Sequence, residues 1–113
     1  MMMYTLGHEA SMPPIRSDGL RYHAAAPIIS ALRNKGYVRA VAYPRDEILV
    51  FEAAKLFLES EGWLIAGESA HAVRAAIDEA KKAEAKGEEK CILVNISGHG
   101  FLDMGAYMKK VKV

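Results

Sequence analysis

The spacing of apolar residues predicts three helices. Apolar positions recur every three or four residues in segments 24–36, 46–62 and 69–87, which is the period of a helix with one buried face. Each segment closes on a glycine, the residue that most often ends a helix. In the first and third segments a lysine precedes that glycine, as expected for the last turn of a helix.

Three shorter apolar runs, 37–43, 63–65 and 91–96, follow these helices and predict strands, because β-branched and aromatic residues are frequent in them. The resulting order of helix, strand, helix, short strand, helix, strand favours right-handed parallel crossovers. The pattern therefore predicts an α/β fold, with a small parallel sheet of two to three strands covered by helices. So small a sheet has unpaired edges, which a partner chain or a homodimer would cover.

The two ends of the chain are less regular. Residues 1–22 contain glycine and proline without a sustained period, so we expect an irregular N-terminal arm followed by a single α/β domain over residues 23–113. An arm of that length is unusual inside a compact domain unless it is functional or disordered. Residues 101–112 are expected either to form a terminal helix or to trail from the domain.

Composition excludes several classes of function. The net charge of +1 arises from interspersed charges of both signs, which disfavours binding to nucleic acid or to an anionic membrane. No apolar run approaches the length of about 20 residues that spans a bilayer, and the start lacks the pattern of a secretion signal. The single cysteine, Cys91, cannot form an intrachain disulfide, so we expect a soluble protein of the reducing cytoplasm.

The strongest functional signal is the tetrapeptide Ser97-Gly98-His99-Gly100, which directly follows the last predicted strand. In α/β sheets, ligands bind at loops that follow the carboxyl ends of strands. A plain turn is an equally good interpretation of the tetrapeptide by itself. The segments around it decide between the two.

Three further motifs accompany this loop. Segment 61–72 begins with Glu-Gly and ends with Glu-Ser-x-His-Ala, residues 13–14 are Pro-Pro, and residues 19–23 are Gly-Leu-Arg-Tyr-His. Together with Asn-x-Ser-Gly-x-Gly at residues 95–100, they resemble the C-terminal part of tryptophan synthase β subunits, in particular the second, longer form of that subunit. The resemblance runs over residues 4–107 and covers about the last quarter of the family's length.

The resemblance implies part of a pyridoxal-phosphate enzyme of fold type II, a lyase of tryptophan biosynthesis. It implies that Ser97 donates a hydrogen bond to the pyridine nitrogen of the cofactor, that Gly98 and His99 belong to the same binding loop, and that Glu68 is the carboxylate beside the ring. A neutral hydroxyl at the ring nitrogen would tune how strongly the cofactor withdraws electrons, which suits β-elimination and β-replacement.

Two parts of the family's pattern have no counterpart in this sequence. No lysine follows a histidine, as the family's Schiff-base lysine does, and no Gly-Gly-Gly-Ser run provides its phosphate-binding loop. We therefore expect a truncated, tryptophan synthase β-like chain with no catalytic residue, inactive alone, and with weak or absent binding of pyridoxal phosphate. Its partner would be a complementary N-terminal chain or a second copy in a homo-oligomer.

Other interpretations stay open. The chain could be a non-catalytic, stand-alone α/β domain that self-associates or binds a partner chain or a small anion. Glu68 and His71 have the spacing of metal ligands on a helix, but a single copy is more simply a helix start and a partly buried histidine, so no metal site is predicted. Basic residues of the arm could gather around an anion, although an exposed arm is the commoner outcome: His8, Arg16, Arg21 and His23.

Overall fold

The computed structural model describes residues 2–14, 18–44 and 46–111. The chain forms two compact units, Met1–Ala42 and Tyr43–Val113. Within the described ranges, no helix is long and apolar enough to cross a membrane. The predicted division into an arm over residues 1–22 and a single domain over residues 23–113 stays a prediction.

Among its described residues, the first unit holds one helix, α1 (Pro27–Asn34), and a short 3-10 turn at Asp18–Leu20. Proline at the first position suits the helix, because its fixed φ and missing N–H cost nothing there. Part of the arm pairs with the segment that precedes this helix: the Leu6 N–H donates to the His23 carbonyl at 2.8 Å. The buried Ser30 hydroxyl of α1 accepts a hydrogen bond from the Tyr4 N–H at 3.0 Å.

In the second unit, the residues that the structure describes form three helices: α2 (Ile48–Glu61), α3 (Gly67–Lys86) and α4 (Met104–Lys110). A 3-10 turn at Gly100–Asp103 leads into α4. Helix α2 packs along α3 and also contacts α4. The buried core lies among these helices and the segment between α2 and α3: Val50, Phe51, Ala53, Ala54, Ile65, Ala70, Val73, Ala106 and Tyr107.

The three helices predicted from the apolar spacing are confirmed as α1, α2 and α3, with small differences at their ends. The glycines expected to end them, Gly36, Gly62 and Gly87, all have positive φ, between 64° and 79°. Glycine adopts this left-handed conformation without the steric penalty of a Cβ, so these positions end the helices as the sequence indicates. Of the two alternatives for residues 101–112, the terminal helix is the correct one over the range of α4.

The predicted parallel sheet is not formed by the described residues. Their one β-type pairing is an isolated antiparallel bridge between Thr5 and Ala24. The runs 37–43, 63–65 and 91–96 are irregular in hydrogen bonding rather than strands, because a strand requires a neighbour whose backbone groups pair with its own. The described residues are thus mainly helical, and the predicted sheet stays a prediction.

The last of these runs keeps one property of a strand. Val94 and Ile96 pack against the core, whereas Leu93, which is 97% exposed, and Asn95 are the exposed residues on either side of Val94. This alternation is the period of two that places successive side chains on opposite faces. Segment 91–96 therefore covers the helical core with one face and leaves its other face open.

Gly100 is a closely packed glycine of the second unit. A Cβ at residue 100 would lie 2.5 Å from the Ile65 carbonyl oxygen and 2.7 Å from the Leu64 Cγ. We expect Gly100→Ala to lower the free energy of unfolding by about 1–3 kcal/mol, the usual cost of overpacking. Urea unfolding followed by the fluorescence of Trp63, the single tryptophan, measures this unit directly.

Gly105→Ala is the matched control, because no atom lies within 4 Å of a Cβ at this position in α4. Alanine is the better helix former, so this change should stabilise the unit by about 0.5–1 kcal/mol. Equal effects of the two substitutions would contradict the close approach at Gly100.

Candidate functional site

The loop that carries the predicted site is joined to α3 through one side chain. The Ser69 hydroxyl donates to the Ser97 carbonyl oxygen at 2.8 Å and accepts from the Ser97 N–H at 3.1 Å. Ser69 is buried, with 6% of its surface exposed, and lies directly after Glu68 in the first turn of α3. The structure thus brings the loop of Ser97 to the helix turn that carries Glu68.

The backbone of Ser97 is hydrogen-bonded to Ser69, whereas its side chain is not bonded within the described residues. The residue is exposed, and its hydroxyl has no hydrogen-bond partner in the described part of the chain. The following residue, Gly98, has a φ of 72°, a backbone conformation that is strained for residues with a side chain. The geometry therefore presents the Ser97 hydroxyl to solvent from a backbone that is held in place.

His99 has a local structural contact. Its Nδ1 accepts a hydrogen bond from the Phe101 N–H at 3.3 Å and caps the 3-10 turn, and the two rings lie with their centroids 4.9 Å apart. In the neutral ring the proton is then on Nε2. The exposed Nε2–H of His99 is the group that could meet a ligand.

The start of α3 already holds an anion. The Gly67 N–H donates to the Asp103 carboxylate at 3.0 Å, and Glu68 adds a second acidic group in the first turn. Acidic groups are favourable at a helix N-terminus because of the helix dipole. Since a protein carboxylate occupies this position, the end of α3 is not an open phosphate site.

The N–H groups of the loop are also largely used within the protein. Those of Ser97, Gly100 and Phe101 donate to Ser69, to the Leu64 carbonyl and to His99 respectively. The N–H groups of Gly98 and His99 donate to none of the described residues. A loop binds an anion through successive free N–H groups, so the interpretation as a small-anion site stays open.

Glu68 and His71 do not form a metal site in the described ranges, which contain no group of three or more His, Cys, Asp or Glu residues able to hold an ion. The Nδ1 of His71 lies 2.9 Å from the Gly67 carbonyl oxygen, one turn back along α3, and therefore carries the proton. In the arm, the basic residues His8, Arg21 and His23 are exposed. Arg16 lies outside the described residues.

Sequence reasoning missed the contacts that join α4 and the site loop to the segment before α3. The Tyr107 hydroxyl donates to the Ile65 carbonyl at 2.6 Å, and Gly100 donates to the Leu64 carbonyl at 2.9 Å. Burial raises the pKa of the Tyr107 hydroxyl to about 12, and the negative charge of Asp103 adds to this. No local pattern identifies these partners, because each contact spans more than 30 residues.

A second polar cluster lies away from the loop. Asp78 accepts from Arg74 at 2.6 Å and from the Tyr43 hydroxyl at 2.9 Å. The hydrogen bond from Arg74 is the main cause that lowers the pKa of Asp78, and it also raises the pKa of Arg74. Burial, followed by the bond to Asp78, raises the pKa of Tyr43. This cluster fixes the start of the second unit to α3.

Comparison with known proteins identifies relatives of this chain, although no family model matches it. It is 56% identical over 107 residues to the tryptophan synthase beta chain 2 of Aquifex aeolicus and 57% identical over 107 residues to the tryptophan synthase beta chain of Thermococcus onnurineus. It is 53% identical over 109 residues to the tryptophan synthase beta chain 2 of Methanosarcina mazei.

These alignments include 95–96% of this chain but only 24% of each relative. The chain thus spans about a quarter of the length of the curated relatives it matches. The resemblance inferred from the motifs is confirmed, and the relatives named chain 2 agree with the second form of the subunit.

The Tyr107 hydroxyl gives a testable pH dependence. Tyr107→Phe removes its bond to Ile65 and should lower the free energy of unfolding at neutral pH by about 1 kcal/mol. Because the pKa is raised in the folded state from 10.0 to about 12, the unfolded chain loses this proton first. The stabilising effect of the hydroxyl is therefore fully present below pH 10 and is lost as pH rises from 10 to 12.

The measurement is the difference in unfolding free energy between wild type and Tyr107→Phe, taken in urea at several pH values. Tyr22→Phe is the control. Tyr22 is 75% exposed, so the loss of its hydroxyl should not change the free energy of unfolding. A difference that stays constant up to pH 12 would show that the hydroxyl is not held as described.

Proposed function

We propose that this chain, which is homologous to the C-terminal segment of tryptophan synthase β chains, forms the ring side of a pyridoxal-phosphate site. The observation that carries the proposal is the contrast within Ser97, whose backbone is fixed by Ser69 while its hydroxyl stays exposed and unpartnered in the described part of the chain. A polar group fixed in this way is arranged to bind something outside the chain.

The residues present fit the ring of the cofactor. A hydroxyl such as that of Ser97 can donate to an unprotonated pyridine nitrogen without placing a charge on it. Glu68, adjacent to Ser69 in α3, is the carboxylate that would lie beside the ring. When bound, pyridoxal phosphate supplies the electron sink for chemistry at an amino acid substrate. The part of this chain is to bind and orient the ring.

The same residues provide little for the phosphate of the cofactor. Asp103 occupies the N-terminus of α3, and of the N–H groups at residues 97–101 only those of Gly98 and His99 have no partner among the described residues. A phosphate requires free N–H groups or basic side chains. We therefore propose that the chain binds the cofactor weakly by itself, is inactive alone, and works with a chain portion that supplies the lysine and the phosphate-binding loop.

Segment 91–96 supports the proposal of a complementary portion. Its backbone groups pair with none of the described residues, and Leu93 is 97% exposed on the face away from the core. A run that is apolar on both faces is typical of a strand in a parallel sheet with helices on each side. We propose that strands of the complementary portion pair with this segment, which would complete the predicted α/β sheet.

The ring-side site is tested by titration with pyridoxal phosphate and with 4′-deoxypyridoxine phosphate, which has no aldehyde and cannot react with surface lysines. We expect weak, saturable binding of both by the wild-type chain. Ser97→Ala should weaken the binding of both by roughly five- to tenfold, the usual effect of one lost hydrogen bond. Equilibrium dialysis with absorbance detection measures the dissociation constants.

Ser11→Ala is the matched control for this titration, because Ser11 is also an exposed serine but lies in the first unit. Its binding should equal that of wild type. Absent binding of the analogue by the folded wild-type chain, or equal binding by wild type and Ser97→Ala, would overturn the proposed ring-side site.

The complementary portion is tested by co-expression with the Aquifex aeolicus relative from which the segment matching this chain has been removed. We expect the two chains to co-purify and to form tryptophan together. Leu93→Lys should abolish co-purification by placing a charge in the proposed interface, and it should leave the stability of this chain unchanged because the side chain is exposed.

Leu102→Lys is the matched control, since Leu102 is also exposed, at 91%, but lies on the 3-10 turn. Its co-purification should equal that of wild type. Co-purification of Leu93→Lys at the wild-type level would contradict pairing at segment 91–96.

The unpaired backbone of segment 91–96 also favours a second candidate function, that of a non-catalytic domain that self-associates through this edge. Sedimentation of the chain alone distinguishes the two functions. A defined oligomer that Leu93→Lys dissociates supports self-association, whereas a monomer that binds the complementary portion supports the ring-side function.

A further inference from the structure

The geometry points to Ser69 as a positioning residue for the site: we infer that it sets where the Ser97 hydroxyl stands relative to Glu68. The inference rests on the proposed function, in which both side chains face the cofactor ring. It concerns a residue that neither the motif pattern nor the relatives assign to the site.

The Ser69 hydroxyl forms two hydrogen bonds to one residue. Ser69 Oγ donates to the Ser97 carbonyl oxygen at 2.8 Å and accepts from the Ser97 N–H at 3.1 Å. The N–H belongs to the peptide plane before residue 97, and the carbonyl to the plane after it. Rotation about either φ or ψ of Ser97 would therefore break one of the bonds.

Restraint of the backbone also restrains the side chain. The staggered positions open to a serine hydroxyl depend on the φ and ψ of its own residue. Because Ser69 holds both angles of Ser97, it limits the directions in which the Ser97 hydroxyl can point. Gly98, the next residue, is left-handed with a φ of 72°, so without the two bonds the loop would have more freedom at this position.

The other end of this link is rigid. Ser69 is 6% exposed and lies in the first turn of α3, beside the buried Ala70. Glu68 belongs to the same turn, so any movement of Ser97 relative to Ser69 is equally a movement relative to Glu68. A serine in the first turn also costs the helix little, whereas in a helix interior it is unfavourable.

Ser30 provides a comparison within the same chain. Ser30 is 5% exposed, and its hydroxyl accepts from the Tyr4 N–H at 3.0 Å and donates to the Ala25 carbonyl at 3.4 Å. It therefore has the same burial and the same two kinds of bond as Ser69. Ser30 bonds two different residues in the first unit, far in sequence from the loop, which makes it a matched control.

The first part of the experiment needs no ligand. Amide hydrogen exchange is measured by NMR on the full chain as wild type, Ser69→Ala, Ser69→Thr and Ser30→Ala. In Ser69→Ala the Ser97 amide should exchange roughly fivefold faster or more, as expected for a lost hydrogen bond, while amides in the middle of α2 and α3 keep their rates. Ser69→Thr retains the hydroxyl and should restore slow exchange, and Ser30→Ala should leave Ser97 unchanged.

The second part separates positioning from general stability by a double-mutant cycle on the binding of 4′-deoxypyridoxine phosphate. Ser69→Ala should weaken binding about as much as Ser97→Ala does, by roughly fivefold. In the Ser97→Ala background it should have no further effect, because its influence passes through the Ser97 hydroxyl. Ser30→Ala should bind as wild type does, although it loses two comparable hydrogen bonds.

The outcomes are distinguishable. An unchanged Ser97 exchange rate in Ser69→Ala, or an equal loss of binding from Ser69→Ala in both backgrounds, overturns the positioning role. A wild-type chain that does not bind the analogue overturns the proposed function, and the exchange rates then decide by themselves whether Ser69 fixes Ser97. Should Ser69→Ala fail to fold, the same comparison is made with Ser69→Thr and with Ser69→Cys, which keeps the size and weakens the bonds.

Discussion

The second unit depends on hydrogen bonds that join the start of α3 to the segment leading into α4. The Ser69 hydroxyl holds Ser97, the Leu64 carbonyl accepts from Gly100, and Asp103 caps the N-terminus of α3. These bonds lie beside the core of α2, α3 and α4 and connect residues that are about 30 positions apart. Without them, the predicted site loop would be a turn with no fixed relation to the helix that carries Glu68.

This constraint also explains how the fold stays ordered without a sheet. A strand is normally fixed by the backbone of its neighbours, but segment 91–96 has no such neighbour in the described chain. It is fixed at its end, through Ser97, and along one face, where Val94 and Ile96 pack on the core. The face with Val94 and Ile96 thus packs on the core as a strand would, and the backbone groups of the segment stay available for pairing.

The same contacts determine which ligand groups the site suits. Side-chain oxygens and a carboxylate surround the start of α3, and the Asp103 carboxylate already interacts with its helix dipole. Under the proposed function, this environment would serve a hydrogen bond to a neutral ring atom rather than a phosphate. That proposal agrees with a chain that matches about a quarter of its relatives' length.

The sequence by itself determined the helices, their ends and the resemblance. Periodic apolar residues and the glycines at 36, 62 and 87 act locally, so α1, α2 and α3 could be predicted without knowing what they pack against. The motifs around Glu68 and Ser97 identified the relatives for the same reason, since each motif is a short, contiguous pattern.

Only the tertiary structure showed whether the described residues form a sheet and which contacts support the site. A strand is defined by a partner that the sequence of the run does not name, and β-rich composition at 91–96 therefore could not show that the partner is missing from the described residues. The roles of Ser69, Asp103 and Tyr107 likewise come from contacts with residues distant in sequence. A serine that starts a helix has the same local pattern whether or not it holds another loop, because hydrogen bonds across 28 residues have no periodicity to detect.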